Sequence, residues 1–427
     1  MLIPRCFRGK GGEKAYLLFA TSFILINIIS FASMFITLQC GLIIDIYALV
    51  FLLLVHNLSV REKSYTHQLF ELFVVFELLS IPISLLSPFG NFLISNPIIF
   101  LYGVSYILIP QLFFYKIGIA VTDTRKAVSF LLKCNFFLVL MSVVFYVARP
   151  NFYISLISSK FPSTFELYGG FVPRLVGYIA DSMAMGVICS SSFVLSLAYI
   201  KKNKYLYMFI FLIGSIMSMQ RGSWIMLVVS SFIYLFLSQK LKQLSIRGLF
   251  FIVVFICSIL YIVVNIDVDG ALSYTDLLLR RFENLGSAGG ERDMQWLGVI
   301  DAVKTYPIGF GLGALSHKGV NMGFPLSCPD GNYFRILGDT GVMGLIIFVF
   351  LNVSTIFFLL RRKQYGCMCA LLVFLAQAVG TNVFDLYYSS FIYWFLMGAS
   401  SRIRTKICSS PSEIQGCVEI NNKLVVL

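Results

Sequence analysis

The amino-acid sequence reads as an all-α integral membrane protein of about twelve transmembrane helices, with one large loop on its outer side. Three observations lead there. The 427-residue chain is 58% hydrophobic and only 12% charged, about half the ~25% of charged residues typical of a soluble domain. Its apolar residues fall into runs of about 20, the length that crosses a ~30 Å hydrocarbon layer as a helix. Lysine and arginine are dense in every second interval between those runs, as the positive-inside rule requires of a multi-pass chain. A soluble enzyme, a nucleic-acid-binding protein and a disordered chain are thereby excluded. The formal net charge of +13 is a topological signal here, because nearly all of its basic residues, Lys116 and Lys133 excepted, sit between apolar runs.

Nine runs make an N-terminal bundle over residues 1–265. The first, 16–34, follows Arg5, Arg8, Lys10 and Lys14 with no small-residue cleavage site after it, so it is read as a retained helix. Arg61 and Lys63 separate the runs at 39–56 and 69–88, and Arg125 and Lys126 separate 97–121 from 128–147. Lys201, Lys202 and Lys204 divide 175–200 from 205–219, and Lys240, Lys242 and Arg247 divide 223–238 from 248–265. Residues 266–336 are the one stretch of soluble character. Within it, 291–306 has the spacing of an amphipathic helix, stops at Pro307 and is followed by Gly309, Gly311 and Gly313. Three runs at 337–360, 366–383 and 387–401 complete the membrane part, with Arg361, Arg362 and Lys363 after the first, and 402–427 is a basic tail. The short intervals 35–38, 89–96 and 381–386 hold no lysine or arginine. Both termini are therefore expected in the cytoplasm and the polar loop outside. Of the ten cysteines only Cys328 falls clear of apolar runs and basic ends, with Cys40 at the very edge of its run, so no disulfide framework or metal cluster follows.

Five features of the outer side carry candidate chemistry. Pro173-Arg174-Leu175-Val176-Gly177 leads into Asp181; on a helix, Arg174 and Asp181 would lie near two turns apart on one face. They are either a functional pair or an interfacial arginine and a buried carboxylate held for packing. Arg221 stands between two apolar runs, opposite the basic loops, where it needs an anionic partner or snorkels to lipid headgroups. Arg280 and Arg281 precede Arg292, which opens the amphipathic helix; free backbone N–H groups there favour an anion, or Arg292 pairs with Glu291, Asp293 or Gln295 on a solvated face. The run Gly309-Phe310-Gly311-Leu312-Gly313 lacks the strand and βαβ unit of a dinucleotide fingerprint and marks only a close turn. Finally, Asp330, Asn332, Tyr333, Arg335 and Asp339 crowd the mouth of a membrane helix. Asp330 is a turn former or helix cap, or part of a functional group of polar residues. His317 lies in the polar loop between the last two features.

In this order the motifs resemble the O-antigen polymerase and ligase family of bacterial envelope glycan assembly. The family's Arg-x-x-Gly helix start, Ser-x-x-Arg-Gly junction and Gly-Arg helix with Trp read here as residues 174–177, 218–222 and 290–296. Its Pro-x-Gly-x-Gly-x-Gly run and its polar segment entering Gly-x-x-Gly read as 307–313 and 330–344. The resemblance spans residues 170–350. It implies a GT-C-like glycosyltransferase of the bacterial inner membrane, its site facing the periplasm, that joins glycans carried on undecaprenyl pyrophosphate. Arg174, Arg221 and Arg292, with Arg280, Arg281 and Arg335, would then grip the pyrophosphate, since guanidinium forks match phosphate oxygens. Asp330 and Asn332 would act on the acceptor hydroxyl, and Asp181, Tyr333, Asp339 and His317 would position acceptor or loop. Ligases of this family resemble one another in a histidine where this chain has Asp330, so the resemblance favours a polymerase; His317 as a substitute base keeps the ligase open. A lipid-linked glycan flippase is the alternative of another class, although the internal repeats common in such folds are not evident. No nucleotide, metal or other cofactor is expected, because the pyrophosphate bond supplies the energy. The expected partners are the undecaprenyl-pyrophosphate-linked oligosaccharide, the bilayer and a chain-length regulator protein, with no nucleic acid.

Overall fold

A computed structural model describes residues 11–32, 46–50, 64–161, 165–166, 172, 174–179, 181–238, 290–326, 328 and 330–402. Most of the expected helix at 39–56, all of that at 248–265, Arg280, Arg281 and the tail from 403 onward lie outside the described residues. The described residues are predominantly helical and hold no strand. Among the described residues five helices are long and apolar enough to cross a membrane: α2 (Tyr65–Ser84), α4 (Ile98–Ala120), α5 (Thr124–Ala148), α7 (Ser182–Tyr199) and α12 (Asn332–Arg361). Apolar but shorter are α8 (Lys204–Met217), α9 (Arg221–Leu237) and α13 (Tyr365–Gln377). Further helices among the described residues are α1 (Gly11–Ala32), α3 (Gly90–Ser95), α6 (Asn151–Lys160), α10 (Gly290–Thr305), α11 (His317–Asn321) and α14 (Tyr387–Ser400). The protein is a helical membrane protein: many of its large apolar side chains face outward, among them Phe137, Val228 and Phe350, as lipid-facing surfaces do.

Local chemistry sets where these helices begin. Ser64 opens α2 by accepting the His67 N–H, and Asp123 opens α5 by accepting the Lys126 N–H at 2.9 Å. Asp181 opens α7 through the N–H groups of Met183 at 2.6 Å and Ala184 at 3.0 Å. This corrects the expectation of a helix from 175. Arg174 and Asp181 do not share a helix face, because the chain between them turns through Gly177 at φ 58° before the cap. Helix α13 stops at Gln377, six residues short of the expected end, and α12 starts at Asn332, five residues early. Polar side chains take over the backbone bonding in the interval that results. The loop helix expected over 291–306 forms as α10, whose Val299 and Val303 are buried against Phe310, Leu315 and Phe324.

The bundle is built around two helices with almost no exposed surface. Every residue of α14 from Tyr387 to Ser400 is buried. It lies against α4 at a glycine crossing: a Cβ on Gly118 would stand 2.3 Å from the Phe395 carbonyl oxygen, and one on Gly398 2.0 Å from that of Tyr115. Only glycine permits that approach, which is how membrane helices gain close packing. Helix α7 is enclosed by α5, α8, α9 and α13, and Ser190 ties it to the Ser223 carbonyl at 3.0 Å.

The two ends of the bundle differ in chemistry. At one end basic loops converge: Arg362 donates to the Arg402 carbonyl at 2.6 Å, Arg402 to that of Val121 at 3.2 Å, and Tyr199 touches Cys367. The opposite end holds 84–97, 174–179, 217–221, 306–326 and 378–386. That division matches the alternation of basic and non-basic intervals in the sequence.

Candidate functional site

The first turns of α12 gather a buried polar cluster. The Asn332 N–H donates to the Ala378 carbonyl at 2.8 Å, its amide donates to Asp385 Oδ1 at 3.2 Å, and its amide oxygen accepts the Phe384 N–H at 3.1 Å. One side chain thus fixes the interval between α13 and α14 against the start of α12. One turn along, Arg335 Nη1 approaches Asp385 Oδ1 to 2.5 Å without aligning its N–H on that oxygen, and Nε has no hydrogen-bond partner among the described residues. Asp339 and Glu77 also act on this guanidinium electrostatically. Glu77, buried in α2, accepts from Gln111 of α4 at 2.8 Å. Three acidic side chains therefore act on one arginine, Asp385 in contact with it, in a poorly solvated place where unanswered charge is costly. Arg335 was expected to grip phosphate; here its nearest anion belongs to the protein.

Asp339 has a structural task. Its two carboxylate oxygens accept the N–H groups of Gly313 at 3.1 Å and Leu315 at 3.0 Å. Phe310 N–H donates to the Gly338 carbonyl at 2.7 Å, Gly311 N–H to that of Asp339 at 2.9 Å, and Leu312 N–H to Ser80 Oγ at 3.0 Å. The glycine run is thus drawn in between α2, α4 and α12. Helix α12 kinks at Gly341, φ 73°, where Pro307 and Ile308 lie against it. Tyr306 secures the same strap by donating to the Ile83 carbonyl at 3.0 Å.

Trp296 of α10 donates to the Asp330 carbonyl at 2.8 Å and stacks on Phe334 with centroids 4.7 Å apart, holding Asp330 beside α12. Burial raises the Asp181 carboxyl, and its two cap N–H groups lower it; the charge of Asp330 raises it further and His317 lowers it. Burial likewise raises Asp385, opposed first by Arg335 and then by His317 and the Asn332 amide. Asp181 is therefore within electrostatic reach of Asp330 and His317, and Asp385 within reach of His317, although these residues come from four separate parts of the chain. Arg174 is partly buried in a segment joined to the end of α8 by the Leu175 N–H and the Met217 carbonyl, 2.8 Å apart. Arg221 opens α9 four residues later, beside Gly222, whose Cβ position is 2.9 Å from the Gln377 side chain. Tyr333 donates to the Leu375 carbonyl at 3.1 Å, an anchor to α13. Arg292 falls in the first turn of α10.

Asp385, Glu77, Gln111 and Gln377 are the members that motif reading passes over. Glu77 had a signal, since an acid inside an apolar helix needs a reason to be there. Asp385 had only a faint one, a single acid in an interval free of basic residues. Chemically, the arrangement offers carboxylates and an imidazole able to orient a hydroxyl and accept its proton, next to a junction carrying two arginines. Among the described residues no group of three His, Cys, Asp or Glu side chains is placed to hold a metal ion. No protein-family model matches this chain, and no curated protein matches it.

Proposed function

We propose that the protein is a polysaccharide repeat-unit polymerase of the bacterial inner membrane, a GT-C-like enzyme of about twelve spans with its site on the periplasmic face. It transfers a growing glycan from undecaprenyl pyrophosphate onto the end of an incoming lipid-linked repeat unit. The observation that carries this reading is a polar group at the end of the bundle away from the basic loops, where Asp330 and His317 act on Asp181 and His317 acts on Asp385, with the Arg174 segment hydrogen-bonded to the end of α8 just before Arg221. A glycosyl transfer needs a group to orient and deprotonate the acceptor hydroxyl and cations to hold the departing diphosphate. Asp330 takes the first role, with Asn332 and Asp385 fixing the wall beside it. Arg174 and Arg221 take the second, with Arg292 on the loop helix and, outside the described residues, Arg280 and Arg281. Arg335 holds Asp385 in place. A chain-length regulator would act on the same face.

A second reading, ligation of finished glycan to a lipid A core, is favoured by one feature: His317 acts electrostatically on both Asp181 and Asp385 and so is placed to serve as a base. Genetics separates the two. Deletion of a polymerase leaves surface glycan capped with a single repeat unit, whereas deletion of a ligase removes surface glycan and leaves long lipid-linked chains. Polymer formed from lipid-linked repeat units by purified protein in detergent, with no second compartment, distinguishes either from a flippase. In that assay Arg221→Lys keeps the charge and loses the planar fork, and polymer formation is expected to fall about ten- to a hundredfold, the worth of a charge-assisted hydrogen bond. Full activity would remove Arg221 from the diphosphate site.

A further inference from the structure

The basic end of the bundle carries an open cleft that the proposed reaction does not use. It measures about 410 Å³ and lies between the start of α1 and the first three turns of α5, within the size range of small-ligand sites. Arg125, Lys126 and Lys133 line it together with Asp123, Ser129 and Tyr16. Three cations thus face one carboxylate, and Asp123 is already engaged, since it caps α5 by accepting the Lys126 N–H at 2.9 Å. Lys126 Nζ stands 4.4 Å from the centre of the Tyr16 ring, a cation–π contact that fixes the ammonium without neutralising it. No carboxylate among the described residues forms an ion pair with any of the three.

Lys133 makes the cavity unusual. It is nine residues into α5, so roughly 14 Å along the axis from Thr124, in a helix whose composition is that of a membrane span. A lysine there requires an anion or a route to the headgroup layer. Lys126, Ser129 and Lys133 follow helical spacing down one face of α5, and the same stripe continues as Phe137, Met141 and Val144, all exposed. Phosphate-binding chemistry at the rim passes directly into an apolar track on the outside of the bundle.

We propose that this cavity is a binding site for the phosphate headgroup of an anionic phospholipid, with its acyl chains lying along Phe137, Met141 and Val144. A soluble phosphate compound would satisfy the rim cations but would leave the track unused, and a zwitterionic lipid would bring its own cation against Arg125 and Lys126. Basic clefts between helices on the basic face of a membrane protein suit anionic headgroups in this way. The site is independent of the glycan reaction at the other end.

Native mass spectrometry of the full-length delipidated protein tests it, with palmitoyl-oleoyl phosphatidylglycerol titrated against phosphatidylcholine of the same chains. Phosphatidylglycerol is expected to fill a first site at least tenfold more tightly. Lys126→Gln combined with Lys133→Gln should weaken that site about thirtyfold, from two interfacial cations, while Lys133→Arg retains it. The single variant Lys126→Gln, on an exposed side chain, should show a smaller loss without disturbing the fold. Equal affinity for the two lipids, or unchanged phosphatidylglycerol binding in a folded double or single Gln variant, overturns the proposal. So does sn-glycerol 3-phosphate binding as tightly as the lipid, which would make the ligand a soluble phosphate.

Discussion

At the scale of single residues, the pair Arg335–Asp385 shows how burial reassigns a side chain. Their side chains are only 4% and 11% exposed, and breaking a buried ion pair by removing one partner costs about 3–5 kcal/mol, because the other charge stays behind unanswered. Arg335→Met, which fills similar space, is expected to lower thermal stability in detergent by that amount, leaving Asp385, Asp339 and Glu77 without their cation. A loss under about 1 kcal/mol would mean the pair does not hold the site together. Asp181 makes a prediction of the opposite kind. Its carboxyl is raised by burial, so the folded state binds this proton more tightly than the unfolded chain does. Stability contributed here is highest at acidic pH and is lost as pH rises from the ordinary carboxylate value through the raised one. Asp181→Asn keeps a capping oxygen and removes the titration. Its melting temperature should vary less with pH than the parent's over that acidic window; an identical pH profile would contradict the raised carboxyl.

At the scale of elements, the glycine strap and α12 form one unit. Gly341 has φ 73° and ψ −172°, a region open to glycine alone, and its Cβ position is 2.3 Å from the Pro307 carbonyl oxygen. Gly341→Ala must therefore strain the kink or push the strap outward, at a cost of at least about 2 kcal/mol. Gly298 in α10 is the control, since its Cβ position meets nothing within 4 Å. Gly298→Ala should be neutral or stabilise by about 0.5–1 kcal/mol through helix propensity. Thermal unfolding of the two variants side by side reads the contrast, and equal effects would show that the strap is not fixed by this contact. The sequence shows the glycines and the proline that stops the preceding helix. It cannot show that Asp339, 26 residues beyond Gly313, supplies the carboxylate that turns the run inward.

For the whole molecule, the segregation of basic loops to one end predicts topology. Reporter fusions after Lys202 and Lys363 are expected to behave as cytoplasmic and a fusion near Lys318 as periplasmic, since short basic loops are retained inside. A periplasmic signal from the 202 or 363 fusion would reverse the orientation and move the proposed site to the wrong face. What the sequence determined alone is the membrane class, the positions of the long apolar helices among the described residues and the loop helix after residue 290. All of these depend on composition and local spacing, which act within one segment at a time. Tertiary structure decided that Arg174 and Asp181 part at a cap, and that Arg335 answers Asp385 some 50 residues away. It also brought Glu77 and Gln111 from separate helices to the same interior. Those outcomes depend on which helices meet and on the high cost of an unpaired charge in a low-dielectric interior, and one-dimensional spacing carries no record of either.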